Sequence, residues 1–320
     1  MKKLNKTIIS IALIILLVSP AYAEKKTICY ITTTPMEKSN NTKNIINSLK
    51  ELENEKTEVY TITATNEEDL KRAYIKATIK NTNYIIINNR DFNEYAKKLA
   101  RENEDINFII MDGKETKETA EQKNIYTIKY KTSNASYIAG YTSVYLTQTN
   151  HIAILIGKDE NKKEKEIIES YTKGAKKATT KLHKAVKIKT YTVNNLMNDK
   201  ISAKIAEQIY TKGIDIIYYT VQNGENGIKA KAKEYNKKVI NITHKEKTEE
   251  KNLDHTELAT IIRNDTKIIK RVITEIMNKT HEENRNILVK FKKNEYEFKL
   301  NENLIDAFTV DAIKAVKKEI

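Results

Sequence analysis

The sequence predicts an α/β protein of two doubly wound lobes, and three observations carry that prediction. Short apolar runs alternate with amphipathic helices along the chain, the pattern of parallel sheets covered on both faces by crossover helices. The stretch Asp199 to Gly227, DKISAKIAEQIYTKGIDIIYYTVQNGENG, is a helix, a tight corner, a buried strand and a loop rich in Asn and Gly; far upstream, Glu67 to Asn89 follows the same order. Two such units so far apart suggest two similar lobes, and 320 residues suit two domains of ordinary size. A small molecule held between such lobes is the natural use of the design.

The elements follow in order. Lys2, Lys3 and Lys6, the apolar Ile8 to Val18 and the small-x-small pattern Ala21-Tyr22-Ala23 form a signal peptide expected to be cut near Ala23. That run is short for a membrane span, and no other segment is apolar enough, so the mature chain is expected to be periplasmic or secreted. Thr27 to Thr33 is a buried strand, and its Cys29, the one cysteine of the chain, sits too far past the signal for a lipid anchor and has no disulfide partner. Helix Lys43 to Glu53, strand Glu58 to Thr63, the helix from Glu67, strand Tyr84 to Ile87, helix Phe92 to Arg101, and strands Phe108 to Met111 and Ile125 to Tyr130 build the first set.

A helix around Ser136 to Leu146 leads to the second set: strand His151 to Gly157, helix Glu164 to Leu182, strand Val186 to Thr192, the Asp199 unit and strand Lys238 to Thr243. The closing part reads as helix Leu258 to Met277, an antiparallel pair at Asn286 to Phe291 and Glu295 to Leu300, and helix Thr309 to Lys318. Signal peptide 1–23, lobe 1 at 24–134 plus about 246–276, and lobe 2 at 135–245 plus about 277–320 are the expected divisions, with crossings near Ser133, His244 and Met277.

Lys and Arg number 57 against 43 Asp and Glu, for a net charge of +14. Lysines interspersed with Glu, as in Lys162 to Glu169, describe solvated helix faces, so no nucleic-acid partner is expected. Catalytic signals are absent: the sequence has no GxGxxG, P-loop, GxSxG or HExxH, and its five His are scattered without metal-like spacing. No enzyme activity, cofactor or metal is therefore expected. Glu67, Glu68 and Asp69 complement a helix dipole.

Open α/β sheets bind ligands at the carboxyl ends of their strands. Thr32 to Asn41 (TTTPMEKSNN) is polar and precedes a helix; Asn88-Asn89 and Asp112-Gly113 end further strands of the first lobe. Asn223-Gly224-Glu225-Asn226-Gly227 ends the corresponding strand of the second.

Thr211 to Glu234, Asn107 to Gly113 (NFIIMDG) and Ala135 to Gly157 (ASYIAGYTSVYLTQTNHIAILIG) resemble, in the right order, patterns of the basic membrane protein group of substrate-binding proteins, also called PnrA-like. The resemblance implies the type I periplasmic-binding fold, with two doubly wound lobes joined by a multi-strand hinge. It also implies a monomer that captures a small polar ligand, a nucleoside or related compound, for an ABC-type permease. By the same resemblance Asp112 would accept hydrogen bonds from the ligand, Ser39 and Asn41 would contribute polar contacts, and Arg263 would meet a hydroxyl or anionic group. Asn223, Asn226 and Gly227 would shape the opposite wall. Asn40 and Met197 stand where the family stacks rings on a base, and Thr243 stands where it has an Asp. Each lost ring removes about 1–3 kcal/mol of stacking, by analogy with nucleic-acid binding. Those losses support an alternative, a degenerate binding fold acting as a surface or host-interaction protein without a transport ligand.

Overall fold

The computed structural model describes residues 25–38, 40–89, 92–113, 121–157, 163–193, 198–221, 224–243, 253–281, 285–291 and 295–319. The signal segment, Ser39, Met197, Asn223 and His244 lie outside them. Two six-stranded sheets organise the described residues.

The first sheet collects β1 (Lys26–Thr32), β2 (Thr57–Thr63), β3 (Tyr84–Asn88), β4 (Asn107–Met111), β5 (Ile125–Tyr130) and β11 (Asn286–Val289), in the order β11-β5-β4-β3-β1-β2. All of its pairings are parallel. Strand β1 is apolar on both sides because both its faces are covered. Ile28 and Tyr30 pack with helix α1 (Asn40–Lys50), while Cys29 and Ile31 pack with α2 (Glu67–Ile79) and α3 (Asn93–Glu102). Cys29 is fully buried and burial pushes its thiol up to about 12, so it is an inert core residue.

The second sheet repeats the plan with β6 (His151–Gly157), β7 (Lys187–Val193), β8 (Ile216–Tyr219), β9 (Lys238–Thr243), β10 (Glu257–Arg263) and β12 (Tyr296–Leu300), in the order β12-β10-β9-β8-β6-β7. Helices α4 (Ser133–Leu146), α5 (Lys163–Leu182) and α9 (Ala307–Lys318) pack on one face, and α6 (Asp199–Tyr210) and α7 (Glu225–Glu234) on the other. The asparagine before Glu67 and the one before Asp199 each cap their helix in the same way: the Asn66 side chain accepts from the Asp69 amide and Asn198 from the Ile201 amide. The repeated unit of the sequence is thus a repeated structural unit, one copy per sheet. Among the described residues, no helix is long and apolar enough to cross a membrane.

The closing third corrects three expectations. Leu258 to Met277 is not one helix: β10 ends at Arg263 and helix α8 (Asp265–Met277) begins after it. The β10 run is buried along nearly its whole length, and a fully buried strand and a buried helix look alike by periodicity. Asn264 marks the break, its side chain accepting from the Lys267 amide as an N-cap. Second, Asn286–Val289 and Tyr296–Leu300 do not pair with each other: β11 runs parallel to β5 and β12 antiparallel to β10.

Third, the passages between sheets move. β10 still belongs to the second sheet although 246–276 was expected in lobe 1, and β11 belongs to the first although 277–320 was expected in lobe 2. The chain therefore passes between sheets after Tyr130, at Asn264 and between β11 and β12, rather than at His244 and Met277. α8 packs against α1 beside the first sheet, where the Lys26 ammonium donates to the Met277 carbonyl.

Candidate functional site

The three passages converge on one cluster at the carboxyl ends of the strands. Tyr130 ends β5 just before the first, Arg263 and Asp265 bracket the second, and Tyr296 opens β12 after the third. The Arg263 guanidinium lies over the Tyr130 ring, its carbon 3.5 Å from the ring centre. Its Nε and a terminal nitrogen grip the two Asp265 carboxylate oxygens at 2.5 and 3.1 Å, the two-point geometry that suits Arg and carboxylate. Arg263 is 13% exposed and Asp265 5%, so the pair is largely withdrawn from water. Burial opposes the Arg263 charge, yet the Asp265 carboxylate and the Tyr130 phenol beside it raise its pKa above the ordinary value.

Backbone bonds tie the passages to one another. The Asn264 amide donates to the Glu295 carbonyl at 2.8 Å, and Lys131 donates to Val289 at 2.9 Å. Arg271 on α8 reaches across to the Glu295 carboxylate and also holds Glu275, which His281 meets in turn at 2.8 Å.

Asp112 stands at the edge of this cluster. It follows β4 with φ 54, in the left-handed region that asparagine and aspartate tolerate best among side-chain-bearing residues. It is half-buried, and its charge acts on both Tyr130 and Tyr296. Burial raises both phenols, Tyr296 to about 12, so both stay protonated donors at neutral pH. On the neighbouring strands the Asn88 side chain donates to the Tyr30 hydroxyl at 2.7 Å, and Asp265 also bears on Tyr30.

Among the described residues, the Tyr130 and Tyr296 hydroxyls are buried without a hydrogen-bond partner. An unmade bond on a buried hydroxyl costs about 1–3 kcal/mol, and an apolar replacement of the same shape escapes that cost. Tyr130→Phe keeps the ring under Arg263 and is expected to raise the urea midpoint of unfolding, as is Tyr296→Phe. A loss of more than about 1 kcal/mol on either substitution would mean that the hydroxyl has a partner in solution.

The sequence-predicted residues divide among these places. Asp112 and Arg263 come together around the two phenols, with Arg263 turned to Asp265 and Tyr130. Asn41 lies in the first turn of α1, after a loop in which the Thr34 amide donates to the Thr32 hydroxyl at 3.3 Å. Ser39 and Asn223 fall outside the described residues. Asn226 and Gly227 begin α7 in the second lobe, where the Asp199 carboxylate receives the Asn226 side-chain amide at 3.2 Å and the Gly227 backbone amide at 3.4 Å. A Cβ at Gly227 would overlap the Asp199 carbonyl, so glycine is what lets α7 and α6 meet here. Tyr130, Asp265 and Tyr296 were missed. Their signal is weak: Arg263 and Asp265 read as a pair at a strand-to-helix corner only once β10 is seen as a strand.

The comparisons with known proteins agree with this architecture. The family described as "ABC transporter substrate-binding protein PnrA-like" matches residues 27–320. Basic membrane protein A1 of Borrelia garinii subsp. bavariensis is 24% identical over 143 residues, 45% of this chain and 41% of that protein. The chain thus aligns with less than half the length of that relative. A solved transcriptional activator of the comK gene from Bacillus halodurans superposes with a TM-score of 0.75 at 12% identity, covering 91% of this chain and 96% of that one. An ABC transporter solute-binding protein from Aeropyrum pernix K1 gives 0.66 at 11% identity, covering 91% and 81%. At such identities the two structures speak for the fold, that of periplasmic-binding-type solute-binding proteins. With a family match running from β1 to the final helix, this chain belongs to the PnrA-like family of ABC transporter substrate-binding proteins.

Proposed function

We propose that this chain captures a small polar ligand, a nucleoside or related hydroxylated compound, between its two lobes and passes it to the membrane permease of an ABC importer. The observation that carries this reading is Asp112, which ends a central strand of the first sheet in the left-handed region beside the residues of all three passages. A carboxylate there can accept paired hydrogen bonds from a base edge or a sugar, and a ligand that also met the second lobe would favour the closed arrangement. On this reading the task is binding and release, done by a monomer at the outer side of the membrane. Proteins of the same fold include a glucose-galactose binding protein from Geobacillus stearothermophilus, which adds sugars to nucleosides in the screen.

Purine nucleosides, other nucleosides and sugars are tested by thermal shift. A binding ligand stabilises the folded state by about 2.7 kcal/mol at a hundred times its Kd, and Asp112→Ala is expected to abolish the rise in Tm. No shift from any compound would favour a second reading, a surface or host-interaction protein on a binding fold. One observation speaks for that alternative: the Arg263 guanidinium is already engaged by Asp265 and Tyr130.

A further inference from the structure

The sequence between Glu169 and Asp199 contains no carboxylate, although Asp and Glu make up 43 of the 320 residues. α5 is accordingly split. Its first half mixes Lys163 and Lys165 with Glu164, Glu166 and Glu169; its second half carries only Lys173, Lys176, Lys177 and Lys181. Those four are exposed, while Tyr171, Ala175 and Ala178 on the other side pack into the core. β7 continues the run with exposed Lys187 and Lys189, and Lys212 lies over the Tyr191 ring of the same strand. α5 is the crossover from β6 to β7, and β7 is the last strand of its sheet, so helix and strand flank one margin of the second lobe.

Two ordinary rules account for part of this charge. Lysine in the last turn complements the helix dipole, which covers Lys181, and lysines guard the edge strand at Lys187 and Lys189. Neither rule explains Lys173 and Lys176 in mid-helix, nor the missing carboxylates. Among the described residues, Lys177 is the member of the run with an ion-pair partner, Glu319, and Lys184 is turned inward to the Val144 and Thr147 carbonyls. Leu182, 37% exposed, sits at the tip between helix and strand.

We propose that this margin is a docking surface for an anionic phospholipid bilayer. The charge is all lysine, compact point charges without the planar forks that read phosphates one at a time. A diffuse layer of headgroups fits such a surface, and the exposed leucine at its tip fits the acyl boundary. Nucleic acid fits less well, since the run lacks arginine and, of the tyrosines beside its lysines, Tyr191 is covered by Lys212 and Tyr137 is engaged with Lys177. The family also works beside a membrane permease, which puts a bilayer within reach.

The full chain is tested on vesicles containing phosphatidylglycerol and on vesicles of phosphatidylcholine alone, the neutral arm measuring any insertion of the apolar N-terminal run. The expected result is a preference for the anionic vesicles that falls as salt is raised. Each lysine at an anionic surface is worth roughly fivefold in affinity, so Lys176→Ala, Lys181→Ala and Lys187→Ala together should cut the preference about a hundredfold. A control with Lys71→Ala, Lys76→Ala and Lys98→Ala changes the net charge equally on exposed residues of the first lobe and should cost far less. Equal losses in the two variants, or no preference for anionic vesicles, would overturn the proposal. So would binding to double-stranded DNA that needs the three margin lysines while vesicles show no preference.

Discussion

Replacing Arg263 by methionine is expected to destabilise the fold by about 3–5 kcal/mol, read as a fall in the urea midpoint at unchanged slope. The size follows from what remains. Asp265 is 5% exposed and loses both of its charge-assisted bonds, so a buried carboxylate is left with no cation to offset its desolvation. Surface pairs such as Lys25 with Glu58 are the opposite case, since water screens both partners and their removal should hardly register. A double variant, Arg263→Met with Asp265→Asn, removes both charges and should recover much of the loss, because an uncharged pair has far less to desolvate. The coupling would be absent if the pair were solvated in solution. A loss below about 1 kcal/mol for Arg263→Met would show that. The functional consequence is distinct from stability: Arg263 comes from the second sheet and Tyr130 from the first, so the single variants should also shift ligand affinity if lobe closure bears on this contact.

How much of this was readable in advance depended on which physical rule each residue obeyed. Alternating strands and helices through Thr243 were legible because most strands are short buried runs and most helices have one apolar face; Lys26–Thr32 lies within a residue of its expected bounds, and α6 starts at Asp199 as expected. β10 was not legible. Glu257–Arg263 is buried on both faces and adjoins a true amphipathic helix, so the sequence runs on without a clear change of period, and only Asn264 followed by Asp265 signals the cap. That one misreading displaced two of the passages, since the strand decides which sheet the chain leaves.

At the candidate site, Asp112 was visible as a carboxylate ending an apolar strand. Tyr130 and Tyr296 were not, because a tyrosine at a strand end reads as core until tertiary structure puts two such strand ends from different sheets around one guanidinium. Asn226 and Gly227 show the converse. A loop rich in Asn and Gly after a strand was legible as a candidate wall, whereas the bonds that draw both amides to Asp199, far back in the sequence, were not. Long-range partners of this kind leave no local periodicity.

Gly140→Ala is expected to destabilise the second lobe even though alanine is the better helix former. Propensity favours the change by about 1 kcal/mol at a helix interior. Packing opposes it. A Cβ at Gly140 on α4 would overlap the Tyr171 carbonyl on α5, and a Cβ at Gly174 on α5 would overlap the Tyr137 carbonyl on α4, so the two helices meet backbone to backbone at a reciprocal pair of glycines. The obstacle is a carbonyl inside a helix, which cannot rotate away as a side chain can, so the helices must separate. Separation disturbs what packs beside the contact, above all the Tyr171 ring stacked on Tyr218 with centres 5.3 Å apart and planes 4° from parallel. Overpacking of this kind costs typically 1–3 kcal/mol and sometimes more, enough to outweigh the propensity gain. Gly174→Ala should behave alike, and the double variant should lose less than the two single losses combined, because the first Cβ already opens the gap the second needs. Thermal unfolding of the three variants decides it: a single variant more stable than the parent would mean that the helices do not touch at these glycines.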